Sequence, residues 1–261
     1  MRKAFIYRRG GLGDTLFIFP VFEILKTEGY HITTAGNRDY LSLALKIGWI
    51  DRIVSAYPDE DFDLKIIIGI NGTVHPFPED REWIVDYYIK RLCLENRDYS
   101  SCLPFKAEDI EDSDLFRERV IIHPSSGSIK KNLPPGLFLR LKENFVDPLF
   151  VAGEADHWLS GFVRPYYFDH DIIKTASLLK RARLFIGADS GLAHLSAYLG
   201  IPTIIIYGPT DPVVWRPVGD NVLQIRPSDC KPCFPHVCKE KHCFNAEEII
   251  VEEIMASAYP R

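Results

Sequence analysis

The segment from Arg183 to Pro217 constrains the fold more than any other part of the sequence. An apolar run at 184–186 meets a turn of small residues, an amphipathic stretch covers 190–199, and a second apolar run covers 203–207. This pattern predicts a strand, a tight turn, a helix and a second strand. In parallel sheets, ligands collect at the carboxyl ends of strands, where helix N-termini expose backbone N–H groups. The sequence therefore predicts a ligand site at residues 189–191.

Two interpretations of this turn are open. In the functional one, Gly191 lets an anion approach the backbone, Ser190 adds a hydroxyl donor, and His194 reaches the same place one helical turn later. In the structural one, Asp189 or Ser190 only caps the helix, and His194 is a half-buried packing residue. An acidic side chain beside a phosphate is not favourable by itself, so Asp189 fits the capping role more easily.

Composition and charge exclude several classes of protein. The chain has 261 residues, of which 46% are hydrophobic and 26% are charged, as in soluble globular proteins. A net charge of -5 argues against a nucleic-acid binder, which needs a basic face. No apolar run approaches the length of a membrane span, and Met1 to Lys3 lead directly into an apolar run rather than a secretory signal. We therefore expect a cytoplasmic protein.

The N-terminal part begins with a predicted strand at 4–7 and a glycine-rich turn at 9–14, followed by one helix from about Thr15 to Glu28. A dinucleotide-binding interpretation of the turn is weak, because Leu16 replaces the third glycine. The turn instead presents Asp14, either as an N-cap or as a carboxylate facing a cleft.

Further alternation of strands and helices predicts an α/β fold. After a predicted strand at 120–122, residues 123–134 form a loop in which Ser126, neighbouring serine and glycine amides, and Lys130 or Lys131 make an anion nest. The alternative is that both lysines are only solvated. Glu154 follows another predicted strand, where it either accepts hydrogen bonds from a ribose or base or is a solvated surface residue.

Three stretches resemble glycosyltransferase family 9, the ADP-heptose heptosyltransferases of lipopolysaccharide core assembly. These are Gly13 to Pro20 (GDxxxxxP), His123 to Pro134 (similar to HPGSxxxxKxWP, with Leu133 in place of tryptophan), and the DSGxxHLxAxLGxPT…GPTDPxxW string within Arg183–Pro217. The resemblance implies a GT-B fold, with two Rossmann-like domains facing a central cleft. It also implies metal-independent, inverting transfer of a sugar from a nucleotide sugar, most simply ADP-heptose, to a glycan such as lipopolysaccharide core.

The resemblance also implies roles for individual residues. Asp14 is the expected catalytic base, and Lys131 aligns with the lysine expected on the donor's phosphates, with Lys130 as its rival. The remaining donor-site residues predicted are Gly13, Ser126, Glu154, Asp189, Ser190, Gly191 and His194. A transferase acting on lipopolysaccharide would associate peripherally with the inner face of the inner membrane.

We expect an acceptor-side domain at 1–115 and a nucleotide-sugar-binding domain at 118–244, divided by the acidic stretch at 108–114. A terminal helix at 245–259 is expected to join the first domain, as GT-B proteins arrange it.

Four cysteines fall within residues 230–243, spaced as x2, x4 and x4 at Cys230, Cys233, Cys238 and Cys243. This spacing is typical of metal ligands, and relatives of the family carry similar segments, some with a metal. A structural zinc or iron is therefore expected, with free thiols or two disulfides as the alternatives. No cofactor is expected to be needed for catalysis.

Two rival functions remain. One is a family relative that binds a nucleotide sugar without transferring it. The other is a serine hydrolase that pairs Ser190 with His194, although the glycines of a G-x-S-x-G elbow are missing around Ser190.

Overall fold

The structure is a computed structural model that describes residues 1–226, 231–234 and 243–258, with the backbone alone at 154 and 155. Two parallel sheets make up its framework. The first sheet has the order β3-β2-β1-β4 and the second the order β10-β9-β8-β5-β6-β7. The predicted α/β class is therefore confirmed.

The first sheet and its helices come from the N-terminal part of the chain. The strands are β1 (Arg2–Arg8), β2 (Tyr30–Gly36), β3 (Arg52–Val54) and β4 (Leu64–Ile68), and the helices are α1 (Leu12–Leu16), α2 (Phe19–Thr27), α3 (Arg38–Lys46) and α4 (Ile84–Arg91). The second half contributes α5 (Ser113–Phe116), β5 (Val120–His123), α6 (Pro135–Asn144), β6 (Leu149–Ala152), β7 (Tyr166–Tyr167), α7 (Ile172–Leu179), β8 (Leu184–Ala188), α8 (Gly191–Tyr198), β9 (Thr203–Ile206), β10 (Val222–Ile225) and α9 (Glu247–Ala258).

The order of the strands places a switch point in each sheet. The chain builds β2 and β3 on one side of β1 and β4 on the other, and it builds β6 and β7 on one side of β5 and β8 to β10 on the other. A crevice forms outside the carboxyl ends of the strands at such a reversal, and ligands bind there. Helix α1, which carries Asp14, follows β1, the loop that carries Lys131 follows β5, and Asp189 follows β8, so these predicted site residues lie at the two crevices.

The helix predicted from Thr15 to Glu28 is wrong as a single element. The chain forms α1, passes through Phe17 and Ile18, and begins again as α2 with Pro20 in its first turn. Proline has no N–H to continue the ladder and is tolerated at a helix start. The break ends α1 at Leu16, two residues after Asp14.

The terminal helix α9 does not join the first domain as expected. It packs against α6, and Ile250, Val251 and Ile254 are buried in the same core as Leu137 and the strands of the second sheet. Apolar side chains on one face of α9 account for this placement. The domain boundary near residues 115–118 stays a prediction.

A second core joins the two halves of the chain. It includes Phe19 and Trp49 from the first half and Tyr198 of α8 from the second, with ring centroids 6.2–6.4 Å apart between Tyr198 and the other two. The C-terminal end of α8 is thereby packed against the start of α2. Within the ranges described, we find no helix with the length and hydrophobicity of a membrane span.

Candidate active site in the groove between the two sheets

A groove of about 1250 Å³ runs between the carboxyl ends of the two sheets. Its wall on the side of the first sheet includes Asp14. The opposite wall includes Lys131 and Ser190. The other predicted residues lining it are Gly13, Ser126, Asp189, Gly191 and His194. Lys130 is exposed beside Lys131 on a short 3₁₀ helix, and the side chain of Glu154 lies outside what the structure describes.

Asp14 is held by two donors on the first-domain wall. The Arg8 Nη2 donates to Oδ1 over 2.7 Å, and the Gly11 backbone N–H donates to Oδ2 over 3.0 Å. The Arg8 side chain is 6% exposed, whereas Asp14 is 31% exposed. The carboxylate is therefore oriented by a buried guanidinium and still opens to the groove, because each oxygen keeps lone-pair capacity for another partner.

Two glycines allow α1 and α8 to meet closely. A Cβ on Gly191 would lie 2.7 Å from the Cβ of Leu12, and a Cβ on Gly13 would lie 3.1 Å from the Cδ2 of His194. The space beside Gly191 is therefore occupied by Leu12. This differs from the expected reason for Gly191, which was the approach of an anion to the backbone. The close approach brings the N-terminus of α8 and Asp14 to the same groove.

Asp189 is buried and pairs with the side-chain nitrogens of two residues, Lys131 and His194. Lys131 Nζ lies 3.2 Å from Oδ2, and His194 Nε2 lies 3.1 Å from Oδ1. Burial alone would raise the pKa of Asp189, but the hydrogen bond from His194 and the charges of Lys131 and His194 hold the pKa well below its ordinary value. Asp189 is therefore an ionised anchor for Lys131 and His194, not the helix cap.

Ser190 is the cap of α8. Its Oγ accepts a hydrogen bond from the Ala193 N–H over 3.3 Å, and it lies 3.1 Å from His123 Nδ1. The pairing of Ser190 with His194 considered from the sequence is wrong, because the ring of His194 binds Asp189 and contacts Phe17 edge-on at 4.9 Å. The hydroxyl expected to donate to an anion is thus engaged inside the protein.

Ser126 shapes the loop that carries Lys131. Its N–H donates to Asn132 Oδ1 over 2.9 Å, its hydroxyl donates to the Ser128 carbonyl over 2.8 Å, and the Ser128 N–H donates back to it over 3.1 Å. These bonds curl the backbone around the groove. Ser126 therefore contributes to the loop's shape through its side chain.

The described parts of the cysteine-rich segment pack on the turn after β9. The N–H groups of Cys233 and Phe234 donate to the Pro209 carbonyl, and the Phe234 ring lies 5.4 Å from Lys131 Nζ. Cys230 and Cys238 lie outside the described residues. The residues that are described contain no group of three or more metal-ligating side chains suited to an ion, so the metal on Cys230, Cys233, Cys238 and Cys243 stays a prediction.

Contacts across the rim of the groove were not anticipated from the sequence. Arg81 donates to both oxygens of Asp211, at 2.6 and 3.1 Å, and Trp83 Nε1 donates to the Arg216 carbonyl at 2.7 Å. The Arg216 guanidinium also lies 3.9 Å from the centre of the Trp83 ring. We call this set the rim latch. It ties the turn after β9 to the loop before α4.

Comparison with known proteins bears on this groove. Residues 171–244 match the model of glycosyltransferase family 9 (heptosyltransferase). Lipooligosaccharide heptosyltransferase 2 of Campylobacter jejuni is 23% identical over 312 residues, covering 98% of this chain and 97% of that protein. Lipopolysaccharide heptosyltransferase 3 of Escherichia coli is 42% identical over 53 residues, but that match spans only 20% of this chain and 16% of the relative.

A solved structure has the same fold. The iron-containing dodecameric heptosyltransferase TibC of enterotoxigenic E. coli, in complex with ADP-D-β-D-heptose, superimposes with a TM-score of 0.73 at 17% identity, over 99% of this chain and 77% of that one. The fold is therefore the GT-B fold, with two Rossmann-like domains facing a cleft. These comparisons also confirm the family resemblance found in the sequence.

Proposed function

We propose that this chain, a glycosyltransferase of the family 9 type, transfers heptose from ADP-heptose to a hydroxyl of a glycan acceptor such as lipopolysaccharide core. Transfer inverts the anomeric centre and needs no catalytic metal. The observation that carries the proposal is one groove with a carboxylate, Asp14, on one wall and the N-terminus of α8 beside Lys131 on the other. If the acceptor is linked to a lipid, the transfer takes place at the inner face of the inner membrane.

The second-domain wall suits a diphosphate. The first turn of α8 carries unpaired N–H groups and the positive end of the helix dipole, which favour anions. Lys131 adds a charge that is 17% exposed and already oriented by Asp189. Charge-assisted bonds to phosphate are stronger than neutral ones, so a diphosphate would draw Lys131 away from Asp189.

Asp14 is the proposed base. The acceptor hydroxyl attacks the anomeric carbon, the bond to the diphosphate breaks, and Asp14 takes the hydroxyl proton. Carboxylates are weak bases toward alcohols, so proton transfer lags behind bond breaking in an oxocarbenium-like transition state. Stabilisation of the leaving diphosphate by Lys131, His194 and the amides of α8 then supplies most of the rate.

The amide variant Asp14→Asn tests this assignment. We expect it to lose ADP release from ADP-heptose by at least about a hundredfold, the usual scale for removal of a general base. Binding of ADP should stay within about twofold, because Asp14 faces the acceptor rather than the diphosphate. The control is Asp39→Asn, an exposed carboxylate in the first turn of α3 that does not line the groove. Full activity of Asp14→Asn would remove Asp14 from the mechanism.

Two other outcomes would distinguish the rival functions from glycosyl transfer. Wild-type protein that binds ADP-heptose but releases no ADP with any glycan acceptor would be a binder without transfer. Labelling of Ser190 by a fluorophosphonate would support hydrolase chemistry. The geometry favours neither, since Ser190 caps a helix and the groove places Asp14 opposite Lys131, as the proposed transfer needs.

A further inference from the structure

Four side chains form a hydrogen-bonded chain in the groove wall on the side of the second sheet, and three of them, His123, Asp156 and Ser190, line the groove. Ser190 Oγ lies 3.1 Å from His123 Nδ1, His123 Nε2 lies 3.0 Å from Ser125 Oγ, and Ser125 Oγ lies 2.7 Å from Asp156 Oδ2. Ser125, His123 and Ser190 are at most 5% exposed. The four residues follow or end β8, β5 and β6, which are neighbours in the sheet. We call this chain the buried relay.

The chemistry of the last member sets the direction of every hydrogen. The Ser125 hydroxyl donates its hydrogen to Asp156 Oδ2, so the Ser125 oxygen must accept from His123 Nε2–H. Burial lowers the pKa of His123 to about 4, so at neutral pH the ring carries one proton. Nδ1 is therefore unprotonated and accepts a hydrogen bond from the Ser190 hydroxyl.

This arrangement leaves the Ser190 oxygen free to accept from the helix. The Ala193 N–H donates to it over 3.3 Å, which closes the N-cap of α8. At the opposite end, Asp156 Oδ2 also accepts from the Gly153 N–H over 3.1 Å. The relay thus joins the loop after β6 to the first turn of α8.

We propose that His123, Ser125 and Asp156 are positioning residues for the diphosphate of a nucleotide donor, acting through Ser190 on the amides of α8. The inference rests on the proposed function of those amides. With the relay intact, only one tautomer of His123 satisfies both of its partners, Ser125 and Ser190, so the cap has one geometry. Without Ser125, the tautomer of His123 that donates from Nδ1 to Ser190 becomes populated. The Ser190 oxygen then accepts from both His123 and Ala193, and its hydroxyl hydrogen must turn elsewhere, which changes the geometry of the cap.

The first test removes one link. Ser125→Ala leaves His123 Nε2–H without its partner while changing little volume. The matched control is Ser177→Ala, a fully buried serine on α7 that accepts one hydrogen bond from the Glu108 N–H and does not line the groove. We expect titration with ADP to show about tenfold weaker binding for Ser125→Ala, with the control within about twofold of wild type. The KM for ADP-heptose should rise, and kcat at saturating donor should change little.

The second test uses a conservative pair of variants. Both bonds to Asp156 end on the same oxygen, so the amide oxygen of Asp156→Asn can accept both, whereas Asp156→Ala can accept neither. We expect ADP affinity to be nearly wild type for Asp156→Asn and to fall about tenfold for Asp156→Ala. Equal losses in both variants would mean that charge alone acts, and would overturn the proposal.

A spectroscopic measurement reports the relay without any ligand. In ¹⁵N NMR spectra of the wild-type protein at neutral pH, we expect His123 to be protonated at Nε2 and bare at Nδ1, and Ser125→Ala to change this tautomer. A protonated Nδ1 in wild type, or unchanged ADP affinity in Ser125→Ala, contradicts the proposal. Failure of the wild-type protein to bind ADP would instead refute the proposed function of α8, and the proposal with it.

Discussion

Acidification should destabilise this protein through His123, by an amount that the structure allows us to calculate. Burial lowers the pKa of the ring from its ordinary 6.5 to about 4. As the pH falls, the unfolded chain therefore binds a proton on this residue at a pH where the folded protein does not. The contribution of His123 to the free energy of unfolding is fully present above about pH 6.5. It is lost progressively as the pH falls toward about 4, and it changes no further below that pH.

The size of the loss follows from the two pKa values. Between about pH 7.5 and about pH 4.5, the linkage relation gives a decrease of roughly 2–3 kcal/mol in the free energy of unfolding from this residue alone. The chain has eight histidines and many carboxylates, whose titration adds to the total. The contribution of His123 must therefore be obtained as a difference between two proteins.

The assay is urea unfolding at both pH values for wild type and for His123→Asn. Asparagine does not titrate in this range, and it offers an oxygen close to the place of Nδ1 for Ser190. We expect the variant to start less stable at about pH 7.5 but to lose roughly 2–3 kcal/mol less on acidification. Losses that agree within about 0.5 kcal/mol would refute the reasoning, because His123 would then titrate alike in both states.

Three further changes test other parts of the account. Gly191→Ala should destabilise the protein by about 1–3 kcal/mol in urea unfolding, because its Cβ would clash with α1. The control Gly161→Ala places its Cβ in open space and should not be destabilised. Equal stability of the two variants would contradict the close contact between the helices. Lys131→Met should weaken ADP binding about 10- to 100-fold in calorimetric titration, and unchanged affinity would place the diphosphate elsewhere. Arg81→Ala should leave the urea unfolding midpoint nearly unchanged, because that side chain is 66% exposed. A large shift of the midpoint would mean that its bond to Asp211 holds the domains together.

Local sequence patterns predicted most elements of the fold. The apolar run at 184–186 lies within β8, and the amphipathic stretch at 190–199 contains α8. Hydrophobic periodicity and turn residues are local signals, so such segments can be recognised without tertiary information. Pro20 was a sequence signal for the break between α1 and α2. The break was missed because the apolar residues keep a helical spacing on both sides of Pro20.

The organisation of the site could be predicted only in part. The turn after β8 and the serine-rich loop were identified because each follows a predicted strand. The bond from Ser190 to His123 joins residues 67 positions apart, and the bond from Ser125 to Asp156 joins residues 31 apart. No local pattern records such pairings. For the same reason, the rim latch and the contact of Leu12 with Gly191 could not be predicted from the sequence.

The central claim is that α8 and Lys131 hold the diphosphate of the donor opposite Asp14. A crystal structure of the protein soaked with ADP tests it most directly. We predict phosphate oxygens about 3 Å from the first-turn N–H groups of α8 and from Lys131 Nζ, with the space toward Asp14 open for an acceptor. ADP bound outside this groove, or in it with its phosphates turned away from α8, would contradict the account.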